Sequence, residues 1–126
     1  MKKKIKIEYT LAPASSTILW NAISTPSGLS RWFADNVTRL NKTFMFKWGK
    51  TETREAEITN FRTESFIRFH WKDDEPRTYF ELKIYYNELT TDLSLEVTDF
   101  AEPGEEDDVI NLWDSQIEVL KRTCGI

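Results

Sequence analysis

EEDDVINLWDSQIEVLKRTC, residues 105–124, is the stretch whose reading decides the fold. At helical spacing Val109, Trp113, Ile117, Leu120 and Cys124 fall on one side, with Ile110 and Val119 beside that stripe. Asn111, Asp114, Ser115, Glu118 and Arg122 fall on the other. Both ends carry stop signals. Pro103-Gly104 breaks the chain just before, and Glu105, Glu106, Asp107 and Asp108 stand where a helix dipole favours anions. Lys121 and Arg122 stand where it favours cations, and Gly125 suits the residue beyond the cap. A long amphipathic helix therefore ends the chain, and its apolar face needs a cover.

The residues before it supply one. Ile5, Ile7, Tyr9 and Leu11 alternate with Lys4, Lys6, Glu8 and Thr10, a half-buried strand that Pro13 ends. Ser15 or Ser16 then caps a helix through Ile18, Leu19, Trp20, Ala22 and Ile23. A second short helix follows, with Thr25 as cap, Pro26 at its first position and Leu29, Trp32 and Phe33 as its buried side; Gly28 weakens it slightly. After Asp35 the pattern alternates until Phe100. Phe44, Phe46 and Trp48; Ala56 and Ile58; Ile67, Phe69 and Trp71; Phe80, Leu82 and Ile84; and Leu93, Leu95 and Val97 form the apolar sides of successive strands. Gly49-Lys50, Asp73 to Pro76 and Asn87-Glu88 read as turns or loops. The expected plan is α+β: a curved antiparallel sheet of about seven strands wrapped around the terminal helix, with residues 1–126 forming one domain.

Composition narrows the function classes. Hydrophobic residues make up 40% and charged residues 30%, ordinary for a globular chain, while the aromatic share of 13% is high. Such side chains fill cores or line pockets for apolar ligands. A net charge of -4 argues against a nucleic-acid partner, which needs a basic surface. Lys2 to Lys4 reads as a solvated chain start, and the alternation after it is unlike a signal peptide. No stretch is long and apolar enough for a transmembrane segment, so cytoplasm is the expected location. Cys124 is the sole cysteine, which excludes an internal disulfide and a cysteine metal cluster.

The order of elements resembles the helix-grip fold of the START-like superfamily, which includes pollen allergens, polyketide cyclases and lipid-transfer domains. It looks most like the branch named for activators of the heat-shock-protein-90 ATPase. PASSTILWNAIST, Pro13 to Thr25, is similar to that branch's opening helix, with its central Trp at Trp20. TPSGLSRWFAD, Thr25 to Asp35, is similar to its next signature, Trp-Phe followed by an acid, here Trp32, Phe33 and Asp35. FMFKW (44–48) and FIRFHW (66–71) look like its aromatic strands, and NLWDSQIEVLK (111–121) like its terminal helix. The likeness departs at Leu40-Asn41-Lys42-Thr43, where the family often has a glycine pair. The resemblance implies a cavity between helix and sheet, used in many relatives for apolar small molecules; others bind proteins, and a few catalyse cyclisation or hydrolysis.

Three functions follow as expectations. The first is a module binding a lipid-like or other hydrophobic small molecule, with Trp48, Phe69, Trp71, Phe80, Trp113 and Ile117 lining the cavity unless they simply pack as core. Trp48 and Trp71, at strand ends, mark its mouth. The second is a protein-interaction module of the chaperone-activator kind, although the additional domain of such activators is not in this chain. The third is a cyclase- or hydrolase-like enzyme. Glu52 and Arg54 share the parity of Ala56 and Ile58, so they are expected inside as a pair that fixes a ligand's polar group or acts as acid and base. His70, the only histidine, alternates outward, and no metal-ligand spacing, nucleophile elbow or phosphate-cradling glycine loop is present, so no cofactor is expected. Oligomeric state is open; the flank bearing Ile110 and Val119 offers a surface on which two copies could pair.

Overall fold

Alternation and helical periodicity resolve, in a computed structural model describing residues 1–126, into one antiparallel sheet holding one long helix. The elements run β1 (Lys3–Leu11), α1 (Ser16–Ser24), α2 (Pro26–Leu29), β2 (Asn36–Leu40), β3 (Thr43–Trp48), β4 (Glu52–Arg62), β5 (Phe66–Trp71), β6 (Phe80–Asn87), β7 (Asp92–Ala101) and α3 (Glu106–Cys124). Strands lie in the order β1-β7-β6-β5-β4-β3-β2. β2 to β7 form a continuous meander, and the α1–α2 segment carries the chain from β1 at one edge to β2 at the other. The curved seven-stranded sheet and the terminal helix are those expected from the sequence.

Register explains the core. Antiparallel partners share a face, and the pairs Ile7–Val97, Leu82–Val97, Phe69–Phe80, Ile58–Phe69 and Phe44–Ala56 place every apolar side on the one face that α3 and the α1–α2 segment cover. Phe44, Phe46, Ala56, Phe69, Leu82, Leu95 and Val97 are fully sealed from solvent. Trp113, Ile117 and Leu120 of α3 are buried against them. Each such side chain contributes roughly 1.5 to 3 kcal/mol on leaving water. The β4–β5 register shifts between Ile58 and Asn60, a bulge that bends the longest strand.

The helix ends obey their local chemistry. Gly125 adopts φ +70 and sends its N–H to the Lys121 carbonyl, closing α3 with a left-handed residue. Ser15 caps α1 by accepting the Ile18 N–H at 3.2 Å, and Thr25 caps α2 by accepting the Gly28 N–H at 2.9 Å.

Several expectations need correction. α2 stops at Leu29 rather than carrying Trp32 and Phe33, which are buried from the turns that follow it. Gly28 does more than tolerate its helix: a Cβ there would lie 2.1 Å from the Asn21 carbonyl oxygen, so only glycine lets α2 approach α1 this closely. Lys2 is not solvated, for its Nζ reaches Asp74 at 2.8 and 3.0 Å. Ile110 and Val119 are both half-buried rather than an exposed flank, whereas Leu112 is 60% exposed. The segment Asn36–Leu40, not singled out as a strand, forms the edge strand β2, and Asn41 turns the chain into β3 at φ 56. That left-handed conformation, which asparagine tolerates, falls in the segment Leu40–Thr43, where the likeness to the family's glycine pair breaks off.

Candidate functional site

The sheet, α3 and the turn after α2 fail to meet at one end, leaving a cleft of about 400 Å³ open to solvent. Strand alternation builds its sheet side. Trp48 pairs with Glu52 and Phe46 with Arg54, so the ends of β3 and β4 turn these side chains to the same face as the core. There α3 no longer covers the sheet. Trp48, Glu52, Arg54 and Trp71 line the sheet side, and Val109, Leu112, Trp113 and Gln116 line the helix side.

Phe33 forms the floor. Its ring lies 5.9 Å from Trp48 and 5.6 Å from Trp113 at the cleft, and 5.2 Å from Phe46 and 5.6 Å from Phe80 in the core. Two indole and amide donors fix its backbone: the Phe33 carbonyl accepts Trp48 Nε1–H at 2.9 Å and Gln116 Nε2–H at 3.0 Å. Sheet, turn and helix are thus joined at one oxygen. Offset and edge-to-face aromatic pairs at these separations add about 0.5–1.5 kcal/mol each beyond burial.

Charged side chains gather on the rim and at one wall. Arg54 does not pair with Glu52. Its Nε and an Nη reach the two Asp73 oxygens at 2.9 and 2.7 Å, and its guanidinium lies 4.0 Å from the centre of the Trp71 ring. The Arg54 contact holds the Asp73 carboxyl below its usual range. Lys2 pairs with Asp74, and that hydrogen bond raises the ammonium above its ordinary value. Burial alone would push Asp74 up, but the Lys2 ammonium and the Glu75 N–H outweigh it and lower the carboxyl. Asp99 differs. Its Oδ2 accepts Trp113 Nε1–H at 2.8 Å and its Oδ1 accepts the Phe100 N–H at 2.7 Å, and burial pushes its carboxyl up despite both.

Of the residues expected at the site, Trp48, Glu52, Arg54, Trp71 and Trp113 come together around the cleft. Phe69, Phe80 and Ile117 do not; they are sealed beneath it as packing residues. The expected buried pair of Glu52 and Arg54 is absent: Glu52 is exposed, Arg54 half-buried, and the two have different surroundings. Sequence reading missed Asp99, Phe33 and Lys2. Asp99 was detectable, since it continues the inward parity of Leu93, Leu95 and Val97. Phe33 and Lys2 reach the cleft through a turn and a chain start, which no periodicity describes. His70 donates or accepts nothing at the cleft; its Nδ1 faces the Thr78 carbonyl at 2.8 Å. No group of histidine, cysteine and acidic side chains is arranged to hold a metal, and no helix is long and apolar enough to cross a membrane.

A sheet gripping a C-terminal helix, with a cleft where the two part, defines a helix-grip protein. The chain belongs to the START-like superfamily, whose domain model matches residues 1–126. It is similar to BfR322 from Bacteroides fragilis, with 58% identity over 99% of this chain and 93% of that one and a TM-score of 0.71. At 16% identity and a TM-score of 0.76 it shares its fold with Aha1 from Colwellia psychrerythraea, a protein whose solution structure is a dimer; 94% of this chain and 93% of that one align. DynU16, from the dynemicin biosynthetic locus, matches at the same identity and TM-score over 94% of this chain, which spans 46% of DynU16. No curated protein matches the chain.

Proposed function

We propose that the protein binds an amphipathic small molecule in the cleft between β3–β5 and α3. The observation that carries this reading is the composition of the walls. Phe33, Trp48, Trp71, Val109, Leu112 and Trp113 offer apolar and aromatic surface, while Asp99, Gln116 and Glu52 supply a few polar groups beside it. A concave apolar lining with a small number of convergent polar atoms is the ordinary makeup of a ligand site. A volume of about 400 Å³ is within the range of such sites. The apolar body of the ligand lies against the indoles, and its polar end points to the charged rim. Interaction with a chaperone rests on the family resemblance alone, and catalysis by Glu52 and Arg54 has less support because Arg54 is committed to Asp73 and Glu52 stands exposed without an ion-pair partner.

Titration with the neutral fluorescent hydrophobe N-phenyl-1-naphthylamine tests the reading. Saturable uptake by the native protein is expected, lost in Leu112→Glu, which places a charge on an exposed wall without disturbing the core. Absence of uptake, or uptake indifferent to both Leu112→Glu and Trp48→Ala, overturns it.

A further inference from the structure

The charges around the cleft do not cancel, and the imbalance has a sign. Lys2 and Arg54 are its cations, and each is already neutralised, by Asp74 at 2.8 Å and Asp73 at 2.7 Å. Glu52 and Asp99 line the same cleft and form no ion pair. Asp99 accepts only the Trp113 indole and the Phe100 N–H, which leaves acceptor capacity on both oxygens. The remaining walls are rings whose faces are electronegative, Trp48, Trp71 and Trp113 with Phe33. One of those faces already holds a cation, for the Arg54 guanidinium stands 4.0 Å from the Trp71 centroid. An anion brought here meets like charge. A neutral hydrophobe gains the walls alone.

We infer that the ligand of this cleft is an amphipathic amine, its ammonium against Asp99 with Glu52 on the rim adding negative charge, and its apolar body against Trp48, Trp113 and Leu112. This assignment rests on the binding reading above and narrows it to one chemical class. Hydrogen bonds from an ammonium to a carboxylate are about twice as strong as neutral ones, and the indole faces add a cation–π contribution. Burial disfavours the ionised form of Asp99; a neighbouring ammonium favours it, so the ligand relieves a strain of charge that the protein sustains alone.

Three soluble probes of similar length separate the possibilities: 4-phenylbutylamine, 4-phenyl-1-butanol and 4-phenylbutyrate at pH 7. Binding to the full chain is followed by the shift of the Trp113 indole N–H, which lies in the cleft. The amine is expected to bind about tenfold more tightly than the alcohol, a difference near 1.4 kcal/mol, and the butyrate most weakly. Asp99→Asn and Glu52→Gln are each expected to weaken binding of the amine more than that of the alcohol, so that the gap between the two narrows. Should Asp99→Asn fail to fold, Glu52→Gln, at an exposed position, decides alone. An alcohol or acid that binds as well as the amine overturns the amine assignment and leaves the ligand-binding reading standing. An amine preference unchanged in both variants also overturns it, because the preference then arises from the overall charge. If none of the three moves the Trp113 signal, both readings fall.

Discussion

Trp113 of α3 donates its indole N–H to the Asp99 carboxylate of β7 at 2.8 Å, the hydrogen bond that ties the gripped helix to the inner face of the sheet at the cleft. It is a side-chain bond made where backbone pairing cannot reach. Replacing Trp113 by Phe leaves a half-buried carboxylate one donor short, which costs about 1–3 kcal/mol. Urea midpoints are expected to fall accordingly. Adding Asp99→Leu to that variant is expected to recover part of the loss, since removing both partners is gentler than orphaning one. A further drop in the double variant would show that the pairing is not the cause.

The approach of α2 to α1 yields a second prediction. Because a Cβ on Gly28 would meet the Asn21 carbonyl at 2.1 Å and the Ala22 Cα at 2.8 Å, the obstruction is backbone and cannot swing away. Gly28→Ala should destabilise the protein by about 1–3 kcal/mol, as overpacking does, although alanine is the better helix former. Thermal unfolding reads this directly; a neutral or stabilising result would mean that the two short helices can separate freely.

Acid stability contains two opposed contributions. The Asp73 carboxyl is held low by Arg54, so the stability it lends is present above about pH 3.9, the ordinary aspartate value, and is lost as pH falls through its lower folded value. Asp99 is raised by burial, so its contribution runs the other way, favouring the fold in acid and fading as pH climbs from about 3.9 through its higher folded value. Arg54→Met is expected to remove the first component. The pH-dependent part of the difference from native protein should be greatest near neutrality, fade in strong acid to what the loss of the Arg54–Trp71 contact leaves, and stay below about 1 kcal/mol, because Asp73 is well exposed. Denaturant titrations across pH 2 to 7 measure it.

Tyr9 gives the alkaline counterpart. Its hydroxyl donates to Asp114 at 2.7 Å, and burial first, then that bond, raise its ionisation well above the usual tyrosine value. Folding therefore favours the protonated phenol. The associated stability is intact below about pH 10 and is lost as pH rises beyond it toward the folded value. Absorbance titration of the folded protein should show one of its four tyrosines ionising late, and Tyr9→Phe should abolish that late step.

Much of this architecture is legible in the chain because sheets and amphipathic helices leave periodic marks. The parity of Phe44, Phe46, Phe69, Leu82 and Leu95 places them inside, and Gly125 marks the end of α3. The same parity put Glu52 and Arg54 on the inner face, which is where they are, but parity does not say how far the covering helix extends. Both residues lie past its shelter, so the expected buried pair dissolved into a rim. The Lys2–Asp74 and Arg54–Asp73 contacts span 72 and 19 residues, and separation of that kind has no local signature. Gly28 read as a weak spot in a helix because sequence spacing is silent on what another helix brings alongside.

Phe33 rests on a turn rather than in a strand or helix, yet its single ring divides the open cleft from the sealed aromatic interior. One residue thus sets the depth of the opening: a smaller side chain there would extend the cleft toward Phe46 and Phe80, at the cost of the contacts that the Phe33 ring makes with both.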